Sequence, residues 1–235
     1  MAATIGARLA AAVAADPTRP LFTWYDDASG DRTELSGATL ANWVAKTANL
    51  LADGAGVAPG DPVVVDLPAH WQAAAVLLGA WSTGAVVTPA GGTAAVAFAA
   101  QGRAATYVGR ADEVYGLALA PMAMPMRDAP PGVADYVIEV RVFGDHHAAD
   151  PTVTGDSPAA PDATHSELLL RAAQRAADHK MAAGDRVLID AGAYPDPLDW
   201  LLAPLVAGAS VILCANLDPA ALPRRQEAER VTLTL

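Results

Sequence analysis

The sequence is poor in cysteine, in aromatic side chains and in positive charge. Its 235 residues include one cysteine, Cys214, so no disulfide can form within the chain. Aromatic residues make up 6% of the chain, and 15 Lys and Arg stand against 26 Asp and Glu, which gives a net charge of −11. Because such a surface repels phosphate backbones and anionic bilayers, neither nucleic acid nor a membrane is an expected partner.

Long apolar runs are also missing. No stretch approaches the roughly 18 residues that a membrane-spanning helix needs. Residues 1–16 lack the basic segment of a secretion signal, and Ile5, Leu9 and Val13 recur every four residues. This spacing predicts an amphipathic helix that ends before Pro17. The cytoplasm is therefore the expected location.

The sequence does contain an internal repeat. Residues 60–66 (Gly-Asp-Pro-Val-Val-Val-Asp) resemble residues 184–190 (Gly-Asp-Arg-Val-Leu-Ile-Asp). At the same offset and without gaps, residues 77–87 resemble residues 201–211. Since Gly, Asp and a Gly-Ala pair stay in register, the likeness is more than shared composition, and it predicts two copies of one structural unit.

Each copy reads as helices alternating with short apolar strands. Helical spacing covers residues 40–52, 71–83, 166–177 and 198–207, and β-branched runs predict strands over 63–67, 85–88, 187–190 and 210–214. A further helix–strand pair is predicted to close each copy, ending at 106–108 and 231–233. Near-continuous apolar strands are typical of parallel sheets buried on both faces. The predicted fold class is α/β, with two pseudo-repeated parallel βαβ units.

The segment between the copies differs in composition. Residues 136–143 alternate in polarity and predict a strand, and residues 150–163 are rich in Pro, Asp, Ser and Thr and predict a surface loop. The expected division is a first repeat over 1–120, a linker over 121–163 and a second repeat over 164–235.

Several motifs carry a resemblance to a known family. Residues 33–43 (Thr-Glu-Leu-Ser-Gly-Ala-Thr-Leu-Ala-Asn-Trp), residues 77–89 with their Gly-Ala pair and Pro, and the pair Thr164-His165 follow one another at family-like spacing. Their order is similar to the N-terminal domain of the adenylate-forming superfamily, which includes acyl-CoA synthetases, peptide-synthetase adenylation domains and luciferases. The likeness is greatest to short homologues from high-GC bacteria. It implies the fold of acetyl-CoA synthetase-like N-terminal domains.

The phosphate loop of that family has a degenerate counterpart here. Four small or hydroxylated residues remain as candidate cofactor-binding positions: Thr152, Thr154, Gly155 and Ser157. The family loop carries a lysine that places positive charge on the triphosphate. The matching stretch here has no Lys or Arg, and Asp150, Asp156 and Asp162 bring negative charge instead.

The resemblance also implies an adenine-binding segment, a magnesium-binding Glu, a ribose-binding Asp and a catalytic Lys, all beyond residue 235. No catalytic residue, metal ligand or cofactor is therefore expected within the sequence. The expectation is a pseudoenzyme without autonomous adenylation activity, which binds an acyl-CoA or nucleotide ligand, or a partner. The alternative is one part of a split acyl-CoA ligase, or an enzyme with altered acyl or CoA chemistry. An apolar patch near the C-terminus is expected to support a homodimer or a partner protein.

A pocket is expected where strands end. Asp190, Tyr194 and Trp200 are the candidate lining residues, although Trp200 also fits a core position. Asp66 and Asp190 follow predicted strands, and capping of the next helix is the favoured interpretation over lining a cleft.

Other reactive side chains have mainly structural interpretations. Asp61 and Asp185 are expected to bond turn amides at the strand entrances. Cys214 fits a buried core thiol without a positive neighbour, and His146-His147 fits a solvated loop better than a metal pair. His165 is expected in the first turn of a helix rather than as a catalytic base.

Overall fold

Short helices and strands alternate along the chain in a computed structural model that describes residues 3–235. The helices are α1 (Ile5–Ala15), α2 (Gly37–Asn49), α3 (Trp71–Thr83), α4 (Gln101–Ala104), α5 (Tyr136–Val140), α6 (His165–Asp178), α7 (Ala203–Ala207) and α8 (Leu222–Ala228). The strands are β1 (Pro20–Asp26), β2 (Asp31–Ser36), β3 (Pro62–Asp66), β4 (Val86–Thr88), β5 (Ala94–Ala100), β6 (Ala111–Leu117), β7 (Ala134–Asp135), β8 (Pro158–Ala160), β9 (Ala163–Thr164), β10 (Arg186–Asp190), β11 (Ser210–Ala215) and β12 (Leu233–Thr234). Five-residue π-helical turns, Leu50–Gly54 and Leu198–Leu202, extend α2 and precede α7. The mixed α/β class with parallel sheets is confirmed.

The first compact unit takes in the described residues through Ala7, then Ala41–Pro68 and Gln72–Ser166. Its five-stranded sheet has the order β4-β3-β5-β6-β7, and every neighbouring pair is parallel. A small antiparallel pair, β8 with β9, lies in the same unit. Fully buried side chains such as Val64 and Phe98 come from the central strands, as expected for a sheet covered on both faces.

The second compact unit comprises Arg8–Leu40, Ala69–Trp71 and Glu167–Leu235. Its five-stranded sheet has the order β12-β10-β11-β1-β2. The pairs β12–β10, β10–β11 and β11–β1 are parallel, and β1 pairs with β2 as an antiparallel hairpin. Neither strand of the hairpin was predicted, and the parallel pairing of β1 with β11, Phe22 opposite Val211, joins segments too far apart in sequence for a local pattern to reveal.

The two repeat copies fold their strand entrances in the same way. The amide of Gly60 donates to the carbonyl of Gly84 at 2.8 Å, and that of Gly184 donates to the carbonyl of Gly208 at 3.1 Å. Asp61 accepts from the Ala58 amide at 2.8 Å and Asp185 from the Ala182 amide at 2.7 Å. The predicted structural role of both aspartates is therefore confirmed.

Two strand predictions were wrong. Residues 136–143 begin with α5, not a strand, because Asp135 accepts from the amide of Ile138 and caps a helix. That helix buries Tyr136, Val137 and Val140, which is helical rather than alternating spacing. Residues 106–108 close a short helical segment, and the strands on either side are β5 and β6.

Within residues 3–235, no helix has both the length and the apolar character that crossing a bilayer requires.

Candidate functional site

The degenerate phosphate loop is a folded turn that uses its own amides. The amide of Thr152 donates to Asp150 Oδ1 at 2.8 Å, and that of Thr154 donates to Ser157 Oγ at 3.0 Å. The amide of Asp156 donates to Thr154 Oγ1 at 3.3 Å, and those of Val153 and Ser157 donate to loop carbonyls at 3.1 Å. Five amides between residues 152 and 157 are thus bonded within the loop. A phosphate would have to break these bonds before it could use the same N–H groups.

The loop also holds negative charge at its start. Hydrogen bonds from the hydroxyl and the amide of Thr152 lower the pKa of the Asp150 carboxyl below its usual range, so it remains ionised at neutral pH. Asp156 and Asp162 are exposed. The sequence between Val142 and Leu170 contains no Lys or Arg.

Packing against α3 anchors the loop. The indole nitrogen of Trp81 donates to the carbonyl of Ala159 at 3.0 Å. A Cβ on Gly84 would lie 2.5 Å from Val153 Cγ2, so the loop rests directly on this glycine. The predicted loop positions Thr152, Thr154, Gly155 and Ser157 are brought together by these contacts, and their role in cofactor binding stays a prediction.

A cavity of about 440 Å³ adjoins the start of the loop in the first unit. The rest of the lining is small and apolar, and polar groups come from Asn49, Asp53, Thr83, His147 and Asp150. Asn49 Oδ1 lies 2.8 Å from His147 Nδ1, and its Nδ2 donates to the carbonyls of His146 and Gly144. Burial is the main cause that lowers the pKa of His147, so the ring is neutral at pH 7. Sequence reasoning missed this cavity, because Asn49 carries no motif.

The three predicted pocket residues have separate roles. Trp200 is buried, packs edge-on to Phe22 at a centroid distance of 6.1 Å and donates to the Pro195 carbonyl at 3.1 Å, which makes it a core residue. Asp190 accepts from the Gly192 amide at 2.8 Å. The ring of Tyr194 lies edge-on to His179 at 5.4 Å. Whether these residues meet a ligand stays a prediction.

The capping interpretation of Asp66 and Asp190 was wrong. Asp66 Oδ2 accepts from the Tyr107 hydroxyl at 2.9 Å and pairs with Arg103 Nε at 2.8 Å. Burial is the largest cause that raises the pKa of Tyr107, and the bond to Asp66 adds to it. Asp190 holds a turn amide two residues on, well before the next helical segment at Leu198.

The single thiol and His165 have structural roles. Cys214 is fully buried, and although Arg225 Nη1 lies 3.5 Å from its sulfur, burial dominates and raises the thiol pKa to about 11. The expectation of no positive neighbour was therefore wrong, but the core-thiol interpretation is confirmed. His165 opens α6 and is buried, and its Nδ1 accepts from the Ile5 amide at 3.4 Å. Residues 3–235 contain no cluster of three metal-ligating side chains.

The described residues show no large exposed apolar side chain near the C-terminus, and a partner or second copy at that face stays a prediction. Among residues 3–235, large apolar side chains that are exposed all lie at or before residue 170: Val108, Met122, Met124, Ile138, Val142 and Leu170. Near the C-terminus, Leu222 and Val231 are half-buried because they pack against the strand residues Leu188, Ile212 and Cys214.

Solved structures share the fold. Acetoacetyl-CoA synthetase from Streptomyces lividans is 19% identical to this chain, with a TM-score of 0.76. The match covers 98% of this chain and 42% of the synthetase chain. The N-terminal domain of FACL13 from Mycobacterium tuberculosis is 17% identical with a TM-score of 0.72, covering 99% and 62%. An acyl-CoA synthetase from Brucella canis is 18% identical with a TM-score of 0.75, covering 99% and 47%. The chain therefore has the fold of acyl-CoA synthetase N-terminal domains and spans about half the length of these structures.

Sequence comparison gives the family. Residues 9–100 match the family model described as AMP-binding enzyme. A TIGR03089 family protein from Mycobacterium tuberculosis (strain ATCC 25618 / H37Rv) is 44% identical over 242 residues, covering 98% of this chain and 97% of that relative. The chain is an AMP-binding-like protein and belongs to the TIGR03089 family.

Proposed function

We propose that this chain is a pseudoenzyme of the acyl-CoA synthetase fold, without adenylation activity of its own, which binds a small acyl or nucleotide ligand or a partner protein. The observation that carries the proposal is the loop at residues 150–157. Its amides are bonded internally, and it presents carboxylates where the related loop presents a lysine.

The carboxylates of the loop oppose a bound triphosphate. Adenylation depends on neutralising negative charge that develops on phosphate oxygens. A carboxylate about 4 Å from a phosphate oxygen costs roughly 4 kcal/mol at an effective dielectric constant of 20. Asp150 is kept ionised by its bonds to Thr152, so the loop opposes a triphosphate at neutral pH.

Ligand binding is supported by the cavity beside the loop. Its volume of about 440 Å³ lies within the range of small-molecule sites. The small apolar side chains Ala52, Val57 and Ala149 suit an acyl chain, while Asn49 and the neutral His147 supply directional polar contacts.

Pyrophosphate exchange tests the catalytic half of the proposal. The purified chain is incubated with Mg-ATP, labelled pyrophosphate and a panel of short- to long-chain carboxylates, with an active acyl-CoA synthetase as positive control. We expect no exchange above the protein-free blank. Saturable, carboxylate-dependent exchange by the chain alone contradicts the pseudoenzyme.

Thermal unfolding tests the binding half. The panel is Mg-ATP, AMP, CoA, acetyl-CoA and a long-chain acyl-CoA. A ligand at 100 times its Kd adds about 2.7 kcal/mol of stability, which corresponds to roughly 5–10 °C for a chain of this size. Asn49→Ala removes a polar group from the cavity and should lose the shift, while Asn216→Ala, an asparagine outside the cavity lining, should keep it. A flat panel argues against a small-molecule ligand and leaves a homodimer or partner protein as the remaining form of the proposal.

A loop variant tests whether the missing positive charge or the internal bonding of the amides prevents the loop from supporting exchange. Asp156 is exposed, so Asp156→Lys adds a cation to the loop without removing a side-chain bond that the structure contains. Because the loop amides keep their internal hydrogen bonds, we expect no pyrophosphate exchange with Mg-ATP in this variant. Recovery of exchange would mean that the missing positive charge alone prevents activity.

The alternative function is one part of a split acyl-CoA ligase, or an enzyme with altered acyl or CoA chemistry. The fold shared with acetoacetyl-CoA synthetase supports it. Saturable ATP consumption on addition of a candidate second subunit, absent from either chain alone, would favour this function over the pseudoenzyme.

A further inference from the structure

The second unit contains a cavity whose lining has more positive than negative side chains, although the chain as a whole is acidic. Its volume is about 490 Å³, and the first residues of β1, β10 and β11 (Pro20, Arg186 and Ser210) line it. These three strands are parallel, so the cavity lies at their N-terminal ends. Ligands of open α/β sheets usually bind at the opposite, C-terminal ends. The cavity is therefore a different site from the phosphate-type loop, which belongs to the first unit.

Arginines dominate the described side chains that line this cavity. Arg19, Arg186 and Arg230 face a single carboxylate, that of Glu229, in a chain whose net charge is −11. That carboxylate is already engaged, since Tyr25 donates to it at 2.6 Å, Arg32 pairs with it at 2.8 Å and Arg186 pairs with its other oxygen. Glu34 also pairs with Arg32 at 2.6 Å and lies 3.7 Å from Arg186, so these two arginines are balanced by two carboxylates. Arg19 and Arg230 are the lining arginines that form no ion pair within 4 Å in the described residues.

Arg19 is held in place by neutral groups. Its Nη2 donates to the Asp185 carbonyl at 3.1 Å, to the Gly184 carbonyl at 3.3 Å and to Ser210 Oγ at 3.3 Å. A guanidinium has five N–H donors, so donors on its other nitrogens remain for a ligand. Because the side chain is already ordered, binding an anion costs less conformational entropy.

Two nearby carboxylates are committed to local turns. Asp16 accepts from the Arg19 amide at 3.1 Å and from Thr18. Asp185 accepts from Thr232 Oγ1 at 2.8 Å and from the Ala182 amide. Neither forms an ion pair within 4 Å with Arg19 or Arg230 in the described residues. The pKa of the Asp16 carboxyl is lowered mainly by its hydrogen bond from the Thr18 hydroxyl, and the charge of Arg19 is the weakest of the causes that lower it.

Arg230 has a strained backbone conformation and a guanidinium without a bonding partner among the described residues. Its φ of +52° is a left-handed conformation just after α8, a position where glycine is preferred because it has no Cβ. In the described part of the chain, its guanidinium has no hydrogen bond or ion pair, and it lines the cavity. A strained non-glycine residue with an unpartnered charge is better explained by a role of the side chain than by folding.

We propose that this cavity binds a small oxyanion of the phosphate type between Arg19 and Arg230. Arg guanidinium groups match the geometry of phosphate oxygens and form charge-assisted bonds to them. This inference does not depend on the proposed function, since it concerns other residues in the other unit.

The test uses inorganic phosphate, by calorimetric titration and thermal unfolding, against KCl of equal ionic strength at pH 7.5. We expect saturable heat and a rise in the unfolding midpoint of about 3–6 °C at ten times the Kd. Phosphate also stabilises proteins generally by exclusion from their surface, but that effect does not saturate. A linear rise without a saturable phase therefore overturns the proposal.

Arg230→Gly should raise the thermal stability of the protein and lower its affinity for phosphate. In KCl the variant should unfold at a higher temperature than the wild type, because the left-handed strain is relieved. Its phosphate affinity should fall at least tenfold. If the affinity stays within twofold of the wild type, the assignment is wrong.

Two variants serve as matched controls. Arg224→Ala removes an exposed arginine from the same helix α8 that does not line the cavity, and it should keep the phosphate response. Lys180→Gly relieves the same backbone strain elsewhere, at φ +59°, and should raise the midpoint in KCl while also keeping the phosphate response. Loss of the response in either control would indicate a general charge or stability effect and would overturn the site.

Discussion

His165 shows how burial of a single imidazole sets a pH dependence. The ring is fully buried, and burial lowers its pKa to about 4. In the unfolded chain a histidine titrates near pH 6.5, so below that pH the unfolded state binds a proton that the folded state does not. The free energy of unfolding therefore falls as the pH drops from about 6.5 to about 4.

We expect His165→Asn to flatten this dependence. The asparagine oxygen can still accept from the Ile5 amide but does not titrate. Between pH 7 and pH 5 the wild type should lose about 2 kcal/mol more than the variant, measured by urea unfolding. His146→Asn, at an exposed position, is the control and should follow the wild type. Equal slopes for all three proteins would mean that His165 is not buried in its neutral form.

Glu229 has the opposite sign of pH dependence. Burial alone would raise its pKa, but hydrogen bonds from Tyr25, Arg186 and Arg32 outweigh burial and lower the pKa to about 2. Its contribution to stability is therefore present above about pH 4.5 and is lost as the pH falls towards 2.

Replacing this carboxylate leaves the largely buried Arg186 guanidinium with the more distant Glu34 carboxylate, at 3.7 Å, as its ion-pair partner. Glu229→Gln should lower the free energy of unfolding by about 3 kcal/mol at pH 7. Glu227→Gln, at an exposed position in the last turn of α8, should change it by no more than about 0.5 kcal/mol. Urea unfolding of both variants checks this, and similar values for the two would remove Glu229 from the network that stabilises the unit.

The residues that the sequence predicted well are those with local partners. Asp61 and Asp185 bond an amide three residues away, so the repeated Gly-Asp turn was enough to assign them. Asp66 and Glu229 bond residues far along the chain, such as Tyr107 and Tyr25, and only the fold reveals such pairs.

At the scale of elements, the turns that end the repeated helices offer a matched pair of mutations. Gly84 and Gly208 have φ values of +81° and +78°, so alanine is strained at both positions. A Cβ at Gly208 meets Ala183 at an ordinary 3.7 Å, but at Gly84 it would lie 2.5 Å from Val153. Gly208→Ala should therefore cost about 1–2 kcal/mol, and Gly84→Ala should cost a further 1–3 kcal/mol from overpacking.

Denaturant unfolding of the two alanine variants measures the difference. A double variant with Val153→Ala should recover most of the extra cost at Gly84, because it removes the clashing methyl groups. If Gly84→Ala costs no more than Gly208→Ala, the loop does not rest on the glycine as the structure has it.

Elements with strong helical or buried-strand patterns were predictable, and ambiguous ones were not. The helix over 71–83 matches α3 at both ends, because an apolar run of this length is buried on nearly all sides and Gly84, at φ +81°, follows its last residue. Residues 136–143 fit either an alternating strand or a short helix, and the Asp135 cap decides for the helix. The π-helical turns have no pattern in sequence, because one extra residue in a turn leaves hydrophobic spacing almost unchanged.

At the scale of the whole molecule, the sequence predicted the fold but not the cavities. Parallel strands and repeat register follow from the chain itself, and a resemblance of motifs added the family. The cavity at Asn49 and the one at Arg19 are made by loops and strand ends from distant segments. Neither set of lining residues forms a motif, so their charge and shape appear only after folding.

The net charge makes a final prediction about the response to salt. With 26 acidic and 15 basic residues, the chain has a net charge of −11, and like charges on the folded surface repel one another at pH 7. Salt at 0.1 M screens charges beyond about 10 Å, so it weakens this repulsion more than the close pairs around Glu229. Raising KCl from 20 to 200 mM at pH 7.5 should therefore raise the midpoint of thermal unfolding.

Near the isoelectric pH of about 4.7 the repulsion vanishes, and the same salt step should leave the midpoint unchanged or lower it. A midpoint that falls with KCl at pH 7.5 would mean that attractive pairs outweigh net repulsion in the folded chain.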